Sequence, residues 1–380
     1  MRRRLRKMTP ERIKSRERFA EWLLEELYAS YLDARKGKRG TVDEQRFETF
    51  LFENLIDLRD CIMDRTYYPS RGVAFIISKP VRREIFAAPF RDRIVHHFLY
   101  RQNAAWWDRR LIYDSYSCRE GKGTLFGIKR LAHHIRSVSN NYTEDVYVVQ
   151  GDLKGYFMSL PRKGLYERVT WGLDQQYKDG GILYETCKFL WKEVIFDDPT
   201  DGVRRKSSRR SWRKLSPDKS LFCQPPGQGI VIGNLSSQEL SNIYLDQLDR
   251  FITMELGYKH YGRYVDDFYI VIKKEQLPQL KRDMELVRTF LVRIGLKMNE
   301  KKYHVRDFKK GVPFLGVVVY PNHIVPGKRI LSNFYIATQR FTAGFLTEDS
   351  IISYMGYMKN IRGKKATARV FHKAGWKYKF

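Results

Sequence analysis

Two adjacent carboxylates, Asp266 and Asp267, lie between two short runs of apolar and aromatic residues. Gly262 comes shortly before the pair, and Phe268–Ile272 follows it directly. This pattern predicts a β-hairpin with both acids at its turn. Neighbouring acids at a buried hairpin tip are costly unless a positive charge compensates them, and a divalent metal ion is the usual compensation. A solvated turn at the protein surface is the alternative explanation of an Asp-Asp pair.

A third acid, Asp152, follows the apolar run Val146–Gln150. A strand is expected to leave its sheet at this position, although an aspartate here could also cap a helix that begins at Leu153. A strand-end aspartate and an Asp-Asp hairpin together give a geometry that can hold two divalent cations. Such a pair of ions clamps the attacking and leaving oxygens of an in-line phosphoryl displacement. Carboxylate and phosphate oxygens favour Mg²⁺ as the ion.

The net charge of the chain indicates its class of partner. The 380 residues carry a formal net charge of +28 and are 43% hydrophobic, which is enough apolar material for a sizeable core. A globular protein this basic most often binds a polyanion, with nucleic acid as the first candidate and an anionic membrane surface as the second. No apolar run approaches the roughly 20 residues that span a bilayer. Because the basic residues are not gathered on one amphipathic helix, no membrane partner is expected.

The N-terminus and the cysteines indicate the compartment. The stretch 2–7 is strongly basic, but no apolar segment follows it, so a secretory signal is not expected. The four cysteines are scattered and form no CxxC spacing, which indicates neither a zinc site nor a disulfide framework. A reducing cytoplasm fits this composition best.

Apolar spacing predicts the order of the secondary-structure elements. Helical spacing recurs over residues 10–70, interrupted by a turn at 37–40, and a β-ribbon is expected at 72–86. Further helices are predicted at 91–107, 124–139, 161–196, 236–256 and 276–295, and over the last 50 residues. Val146–Val149 and Phe314–Val319 are each predicted to form one strand.

A strongly basic segment interrupts this order. Seven basic residues and Trp212 fall within Val203–Lys214. One interpretation is a disordered surface loop. The other is a loop that grips a phosphate backbone and becomes ordered only when nucleic acid is bound.

Over roughly residues 70–330 the chain resembles reverse transcriptases. The string Gln150–Phe157 resembles the first palm motif of that family, and Tyr264–Asp267 resembles its active-site box. Three further stretches, in the same order as in the family, resemble the dNTP-contacting motif (Gly229–Gln238), the motif that follows the active-site box (Gly295–Lys302) and the primer grip (Phe314–Gly316).

The resemblance implies an α+β fold of the right-hand polymerase type. The palm would contain an antiparallel sheet flanked by helices, the fingers would be mainly helical, and the thumb would be short and helical. The implied boundaries are an N-terminal helical extension at 1–70, fingers at 71–145, a palm at 146–325 with a basic insertion at about 197–222, and a thumb at 326–380.

Roles for the catalytic residues follow from the same resemblance. Asp152 and Asp266 would bind two Mg²⁺ ions, or Mn²⁺ as a substitute, with Asp267 as a supporting ligand and Leu153 in the same metal set. Lys302 would meet the pyrophosphate leaving group, with proton donation as a further role. Lys301 is the alternative for that role.

The resemblance also implies contacts to the nucleotide and the nucleic acid. Phe157 would exclude a ribose 2′-hydroxyl, although an ordinary core role is the alternative for this residue. Arg119, together with Arg82 or Arg83, would supply the basic contacts to the triphosphate and the template. The remaining implied contacts are Ile232, Gly233 and Gln238 for the dNTP, and Arg204, Arg205, Arg209, Arg210, Phe314, Leu315 and Gly316 for nucleic acid.

One departure from the common pattern indicates a subfamily. Many reverse transcriptases have Gln before Gly233 and Pro after Ser237, whereas this chain has Ile232 and Gln238. That form resembles the enzymes of diversity-generating retroelements, which implies low fidelity opposite template adenine. It also implies a structured non-coding RNA as template or scaffold, and a small basic accessory protein. Antiphage-defence reverse transcriptases share a similar variant and are the alternative, ahead of intron-like or retron-like enzymes.

A different class of function is a catalytically idle RNA-binding protein with a polymerase fold. The presence of all three carboxylates, Phe157 and Lys302 counts against it. The expected partners are thus the structured RNA, an RNA–DNA hybrid and dNTPs, with either the accessory protein or self-association. The expected location is the bacterial cytoplasm.

Overall fold

The computed structural model describes residues 10–37, 40–78 and 81–376, with side chains from residue 15 onward. Parts of four sequence predictions therefore lie outside the described residues: 1–9 of the N-terminal extension, 38–39 of the turn, 79–80 of the β-ribbon and 377–380 of the thumb. The chain divides into two compact units. The first unit comprises the described residues up to Leu111, Lys154–Gln247 and Leu291–Lys297. The second unit comprises Ile112–Leu153, Leu248–Phe290 and the described residues from Met298 onward.

The helices follow the predicted order closely. In the described residues they are α1 (Pro10–Arg35), α2 (Val42–Thr49), α3 (Leu51–Met63), α4 (Phe90–Arg110), α5 (Thr124–Val138), α6 (Tyr156–Ser159), α7 (Arg162–Gln176), α8 (Ile182–Phe196), α9 (Arg209–Arg213), α10 (Leu235–Arg250), α11 (Leu277–Arg293), α12 (Lys328–Thr342), α13 (Glu348–Lys359) and α14 (Lys364–Lys373). None of the helices within these described ranges is long and apolar enough to cross a membrane.

The strands in the described residues form three small sheets. They are β1 (Val73–Ile77), β2 (Arg83–Ala87), β3 (Val146–Gly151), β4 (Arg204–Arg205), β5 (Tyr261–Tyr264), β6 (Asp267–Lys273), β7 (His304–Asp307), β8 (Val312–Phe314), β9 (Val317–Tyr320) and β10 (His323–Pro326). The sheet orders are β2-β1-β4, β5-β6-β3-β7 and β10-β9-β8.

The first unit combines a helical core with the predicted β-ribbon. Helix α1 packs on α3 and α4 because Leu23, Leu27, Leu55 and Phe98 are fully buried. Strands β1 and β2 pair antiparallel, and β4 adds a short parallel edge to β1. Apolar side chains of the ribbon pack with residues from other parts of the same unit in a cluster that contains Ala74, Phe86, Met158 and Leu221.

The second unit contains the sheet on which the acidic motifs lie. All pairs in the β5-β6-β3-β7 sheet are antiparallel. Helix α5 packs against this sheet and buries Leu131 and Ile135 beside Val148 and Tyr269. Helices α12, α13 and α14 form a separate apolar cluster around the fully buried Phe334.

Two local predictions were wrong. Phe314–Val319 is not one strand but the hairpin of β8 and β9, because Leu315 and Gly316 have φ angles of 47° and 89° and form a two-residue turn. The helix predicted over 236–256 ends as an α-helix at Arg250, and a π-helical turn, Phe251–Glu255, follows it. Wider turns of this kind are rare and occur mostly as single interruptions.

Candidate active site

The hairpin that carries the two adjacent acids is confirmed. Tyr264 pairs with Asp267 at the end of β5 and β6, which leaves Val265 and Asp266 as a two-residue loop. Val265 has a φ of 57°, and a positive φ at the first central residue is typical of a type II′ turn. Glycine is the residue that normally occupies this position, so a β-branched valine is strained there.

Asp152 lies beside this hairpin because β3 and β6 are neighbours. Gly151, the last residue of β3, pairs with Phe268, which is the residue that follows Asp267. The Asp152 side chain is buried, and both its carboxylate oxygens accept hydrogen bonds. Asn299 Nδ2 donates to Oδ1 at 2.7 Å, and Lys302 Nζ donates to Oδ2 at 2.6 Å. Asp152 therefore does not act as a helix cap.

The electrostatics show that the three carboxyl groups interact. Burial, the charges of Asp266 and Asp152, and a hydrogen bond with Asp152 raise the pKa of Asp267 well above its ordinary value. Like charges that share a site disfavour ionisation in this way, and two carboxyl groups hydrogen-bond only when they share a proton. Burial opposes the charge of Lys302, but the hydrogen bond to Asp152 and the nearby acids outweigh it and raise the Lys302 pKa. Lys302 therefore stays protonated beside the cluster.

The donor set fits a divalent ion in its chemistry. Within the described ranges, no group of three or more His, Cys, Asp or Glu side chains converges as a preformed metal site. Asp152 and Asp266 nonetheless lie near enough to Asp267 that, together with burial, their charges raise its pKa. Carboxylate oxygens are the ligands that hard cations prefer. Leu153 is buried and its backbone bridges to Met298, so only its carbonyl oxygen is suited to a metal.

The predicted dNTP motif lies in the first unit. Ile232 is half-buried against the cluster of Phe86 and Leu221, and its carbonyl accepts a hydrogen bond from the Phe86 N–H at 3.0 Å. Gly233 has a φ of 132°, and a Cβ atom there would lie 2.6 Å from the Phe86 carbonyl oxygen. Only glycine fits this position. Gln238 is exposed on α10.

Two more predicted nucleotide contacts lie in the first unit. Phe157 is half-buried, with its ring centroid 5.3 Å from that of Tyr156, and its carbonyl accepts a hydrogen bond from the Ile230 N–H at 2.9 Å. Arg83 begins β2 and is exposed, whereas the Arg82 guanidinium donates to the Ser211 carbonyl at 3.3 Å. Arg83 is therefore the more available of the two arginines.

Arg119 and the predicted primer grip belong to the second unit. Arg119 donates to the carbonyls of Ile112 and Ser115 at 2.7 and 3.0 Å, so it stabilises its own loop. Phe314 is buried, with its ring edge-to-face on Tyr269 at 5.2 Å. Leu315 and Gly316 form the turn that follows, beside Pro313, whose carbonyl accepts a hydrogen bond from the Gln150 side chain.

The basic segment contains two short regular elements and is not one continuous loop. It forms β4 and α9, and Trp212 Nε1 donates to the fully buried Glu84 carboxylate at 2.8 Å. Glu84 also accepts from Ser220 Oγ at 2.8 Å and from the Leu221 N–H at 2.6 Å. The guanidinium of Arg205 stacks 3.7 Å from the Phe222 ring centroid. The other predicted contacts of the segment, Arg204, Arg209 and Arg210, are exposed.

Two site residues were missed from the sequence. Asn299 lies within the stretch Gly295–Lys302, but nothing in that stretch shows that its amide meets Asp152. Glu84 is a lone acid in a basic and apolar ribbon, which was an available signal for a buried hydrogen-bond acceptor. Both contacts join segments far apart in the chain, at separations of 147 and 128 residues for Asn299–Asp152 and Trp212–Glu84.

The sequence model of the family described as reverse transcriptase (RNA-dependent DNA polymerase) matches residues 82–319. This match covers more than half of the chain, and the chain therefore belongs to the reverse transcriptase family. The fold is accordingly of the right-hand polymerase class. A search of curated proteins found no match.

Solved structures similar to this chain include two fungal telomerases. Apo telomerase from Candida tropicalis is 12% identical, with a TM-score of 0.47, over 81% of this chain and 59% of that chain. Telomerase from Candida albicans in complex with a TWJ fragment of telomeric RNA is 14% identical, with a TM-score of 0.45, over 82% of this chain and 56% of that chain. The chain thus spans less than two thirds of the length of either.

Proposed function

We propose that the polymerase adds dNTPs to a primer 3′-hydroxyl by two-metal catalysis at Asp152, Asp266 and Asp267. The observation that carries this proposal is the placement of three carboxyl groups at the ends of β3 and β5-β6, where burial and the charges of Asp266 and Asp152 raise the pKa of Asp267. Asp152 and Asp266 would hold the ions, with Asp267 in support. When bound, Mg²⁺ or Mn²⁺ would supply the positive charge that stabilises the attacking and leaving oxygens.

Two neighbours prepare Asp152 for this role. Asn299 and Lys302 hold its two oxygens at 2.7 and 2.6 Å and so fix the plane of the carboxylate. The Lys302 side chain is more than half exposed, so its ammonium would be able to reach a departing pyrophosphate while it keeps its proton. A protonated amine at this place suits a general acid for the leaving group.

The test is primer extension on a defined RNA template with a DNA primer. Asp266→Asn removes a ligand charge without changing the shape of the side chain, and we expect it to abolish extension with Mg²⁺ and with Mn²⁺. Asp57→Asn, at an exposed position of α3, is the matched control and should keep full activity. Full activity of Asp266→Asn would show that the metal assignment is wrong.

We infer that the enzyme belongs to the diversity-generating group, on the basis of Ile232 and Gln238. A branched apolar side chain at 232 packs in the cluster around Phe86 and offers no hydrogen bond to an incoming nucleotide. Loss of one such polar contact changes the free-energy difference between the correct and an incorrect nucleotide by roughly 1–3 kcal/mol. Low fidelity opposite template adenine is therefore expected.

The fidelity test is Ile232→Gln, with misincorporation counted at each template base. Errors at adenine should fall by about tenfold or more if the missing amide is the cause. Val231→Gln introduces the same group one residue earlier in the same cluster and controls for loss of packing. An unchanged error spectrum in Ile232→Gln would remove this residue as the determinant.

A defence role is the second candidate, and the basic segment at 203–214 favours it. Such an enzyme would make DNA when phage infects. Sequencing of the co-purifying RNA and the cDNA separates the two: one structured RNA copied with errors at adenine supports the retroelement role. Faithful, repetitive or untemplated DNA supports defence, and no DNA with any primer supports an idle RNA-binding protein.

The proposed nucleic-acid surface is the exposed basic segment. Its arginines would bind phosphates of the structured RNA or of the RNA–DNA hybrid, on a scaffold that Glu84 holds in place. Each phosphate contact to single-stranded RNA contributes about 0.7 to the slope of log affinity against log salt. Arg209→Gln with Arg210→Gln should therefore lower that slope by about 1.4. Arg18→Gln, at an exposed position of α1, should not change it.

The subfamily resemblance also favours particular partners and a location for the enzyme. A small basic accessory protein or self-association would complete the assembly, and the bacterial cytoplasm would be its location. Light scattering of the purified chain, alone and with a co-expressed accessory protein from its own locus, tests the first of these.

A further inference from the structure

A buried ion pair lies directly beneath the acidic hairpin. Arg263 in β5 and Asp249 in the last turn of α10 are both fully buried, and both belong to the second unit. Arg263 Nε donates to Asp249 Oδ1 at 2.7 Å, and Nη2 donates to Oδ2 at 2.6 Å. The pair is thus bidentate, the geometry in which a guanidinium is held most rigidly.

The same guanidinium reaches the hairpin tip. Arg263 Nη1 donates to the Val265 carbonyl at 2.9 Å, so one side chain joins the turn to α10. From the other side, Ser117 Oγ accepts a hydrogen bond from the Val265 N–H at 3.2 Å. The backbone N–H and the carbonyl of Val265 are therefore both held by side chains.

The serine is itself held in position by backbone pairing. The Arg263 N–H donates to the Asp114 carbonyl, and the Tyr116 N–H donates to the Arg263 carbonyl, both at 2.9 Å. The segment from Asp114 to Ser117 thus runs along β5 and presents Ser117 to the turn. Ser117 is almost completely buried, so water does not replace it readily.

Val265 needs such support because its backbone is strained. Its φ of 57° lies in the left-handed region, which a β-branched residue adopts only when its surroundings impose it. Without the support the turn would relax and move Asp266, its second residue, and Asp267, which follows the turn. Strain of this kind is concentrated at functional sites.

We propose that Arg263, anchored by Asp249 and assisted by Ser117, is a positioning residue that holds Val265 in the left-handed conformation. In this way it fixes the direction in which Asp266 and Asp267 leave the hairpin tip. The inference rests on the proposed role of those two acids in catalysis. It assigns to Arg263 an effect on the chemical step that acts through the backbone and not through contact with substrate.

The test is Arg263→Lys, which keeps the buried positive charge but lacks the fork needed to bind Asp249 and Val265 together. A carboxylate moved by about 1 Å loses on the order of 100-fold in rate. We expect kcat for dNTP addition to fall on that order, with KM for dNTP little changed. Glycine adopts a positive φ without strain, so the loss should be much smaller when Val265→Gly is present.

The matched control is Arg168→Lys, which alters another arginine paired with a fully buried aspartate, Asp246, in the first unit. It should reduce stability without reducing kcat in this way. The inference is overturned if Arg168→Lys lowers kcat as much as Arg263→Lys does when the two variants lose the same amount of Tm. It is also overturned if Arg263→Lys costs the same with valine or glycine at 265.

A second variant keeps the inference testable if Arg263→Lys does not fold. Ser117→Ala removes the hydroxyl that accepts from the Val265 N–H and leaves Arg263 in place, so it should lower kcat less, again with a smaller loss beside Val265→Gly. An equal loss in both backgrounds contradicts the inference. Full activity of Asp266→Asn would instead show that the acids are not the catalytic ligands, which refutes the proposed site itself.

Discussion

Replacement of Gly151 by alanine should disturb the active site from the end of β3. A Cβ atom at this position would lie 2.3 Å from Phe268 Cζ, and 2.6 and 3.0 Å from two other atoms of the same ring. Carbon atoms in ordinary contact are about 3.5–4.0 Å apart. The ring must therefore retreat by about 1 Å or more, but Phe268 is almost completely buried.

The displacement affects both parts of the carboxylate cluster. Gly151 directly precedes Asp152, and Phe268 directly follows Asp267. Overpacking of a core by one methyl group costs about 1–3 kcal/mol of unfolding free energy. A displacement of about 1 Å at reacting groups costs on the order of 100-fold in rate. We therefore expect a moderately destabilised protein with a disproportionate loss of kcat.

Urea unfolding measures the free energy of unfolding, and primer extension measures kcat. Gly356→Ala is the control, because a Cβ atom there meets nothing within 4 Å and the residue is inside helix α13. It should add about 0.5–1 kcal/mol of stability with no change in rate. Phe268→Leu, combined with Gly151→Ala, should recover part of the loss by making room. Wild-type stability and rate in Gly151→Ala would refute the packing argument.

Three further predictions follow from single contacts. Burial lowers the pKa of His96 to about 3, so the unfolded chain binds a proton below about pH 6.5 that the folded chain does not. Between pH 7.5 and pH 5, protonation of His96 in the unfolded chain should lower the free energy of unfolding by about 2 kcal/mol. In urea unfolding, His96→Gln should lose less stability over this pH range than the wild type by that amount. An equal loss in the wild type and the variant would contradict the prediction. Glu84→Gln leaves one acceptor oxygen for three donors and should lower the free energy of unfolding by about 1–3 kcal/mol. It should also weaken RNA binding in a filter-binding assay. Asn299→Ala removes a hydrogen bond to the charged Asp152 and should lower kcat in primer extension about tenfold or more, whereas unchanged kcat would show that Lys302 alone suffices.

The parts of the fold that the sequence predicted are those encoded locally. Apolar spacing identified α1, α4 and α11 to within a few residues, and alternation with a polar turn identified the hairpin at Asp266. Each of these signals lies within one helix or one pair of strands, where side-chain period and turn chemistry suffice. The β8–β9 turn was missed because Leu315 is not a turn residue and Gly316 alone gave too weak a signal.

The missed parts of the site depend on contacts between distant segments. Asp152 and Lys302 were both predicted, but the sequence did not show that Lys302 and Asn299 hydrogen-bond to Asp152 over separations of 150 and 147 residues. The position of the basic segment depends on the hydrogen bond from Trp212 to Glu84. The support of Val265 by Arg263 depends on an aspartate at the end of α10. Side-chain pairing over such separations follows from tertiary packing, which a single sequence does not display.

The central claim is that Asp152, Asp266 and Asp267 form the polymerase site, and one measurement tests it most directly. Single-turnover dNTP addition would be compared for the wild type, Asp152→Asn and Asp266→Asn, on an RNA template with a DNA primer and a series of Mg²⁺ concentrations. The account predicts Mg²⁺-dependent addition by the wild type and none above background by either variant, with unfolding curves close to that of the wild type. Addition by a variant at the wild-type rate and with the same Mg²⁺ dependence would contradict it.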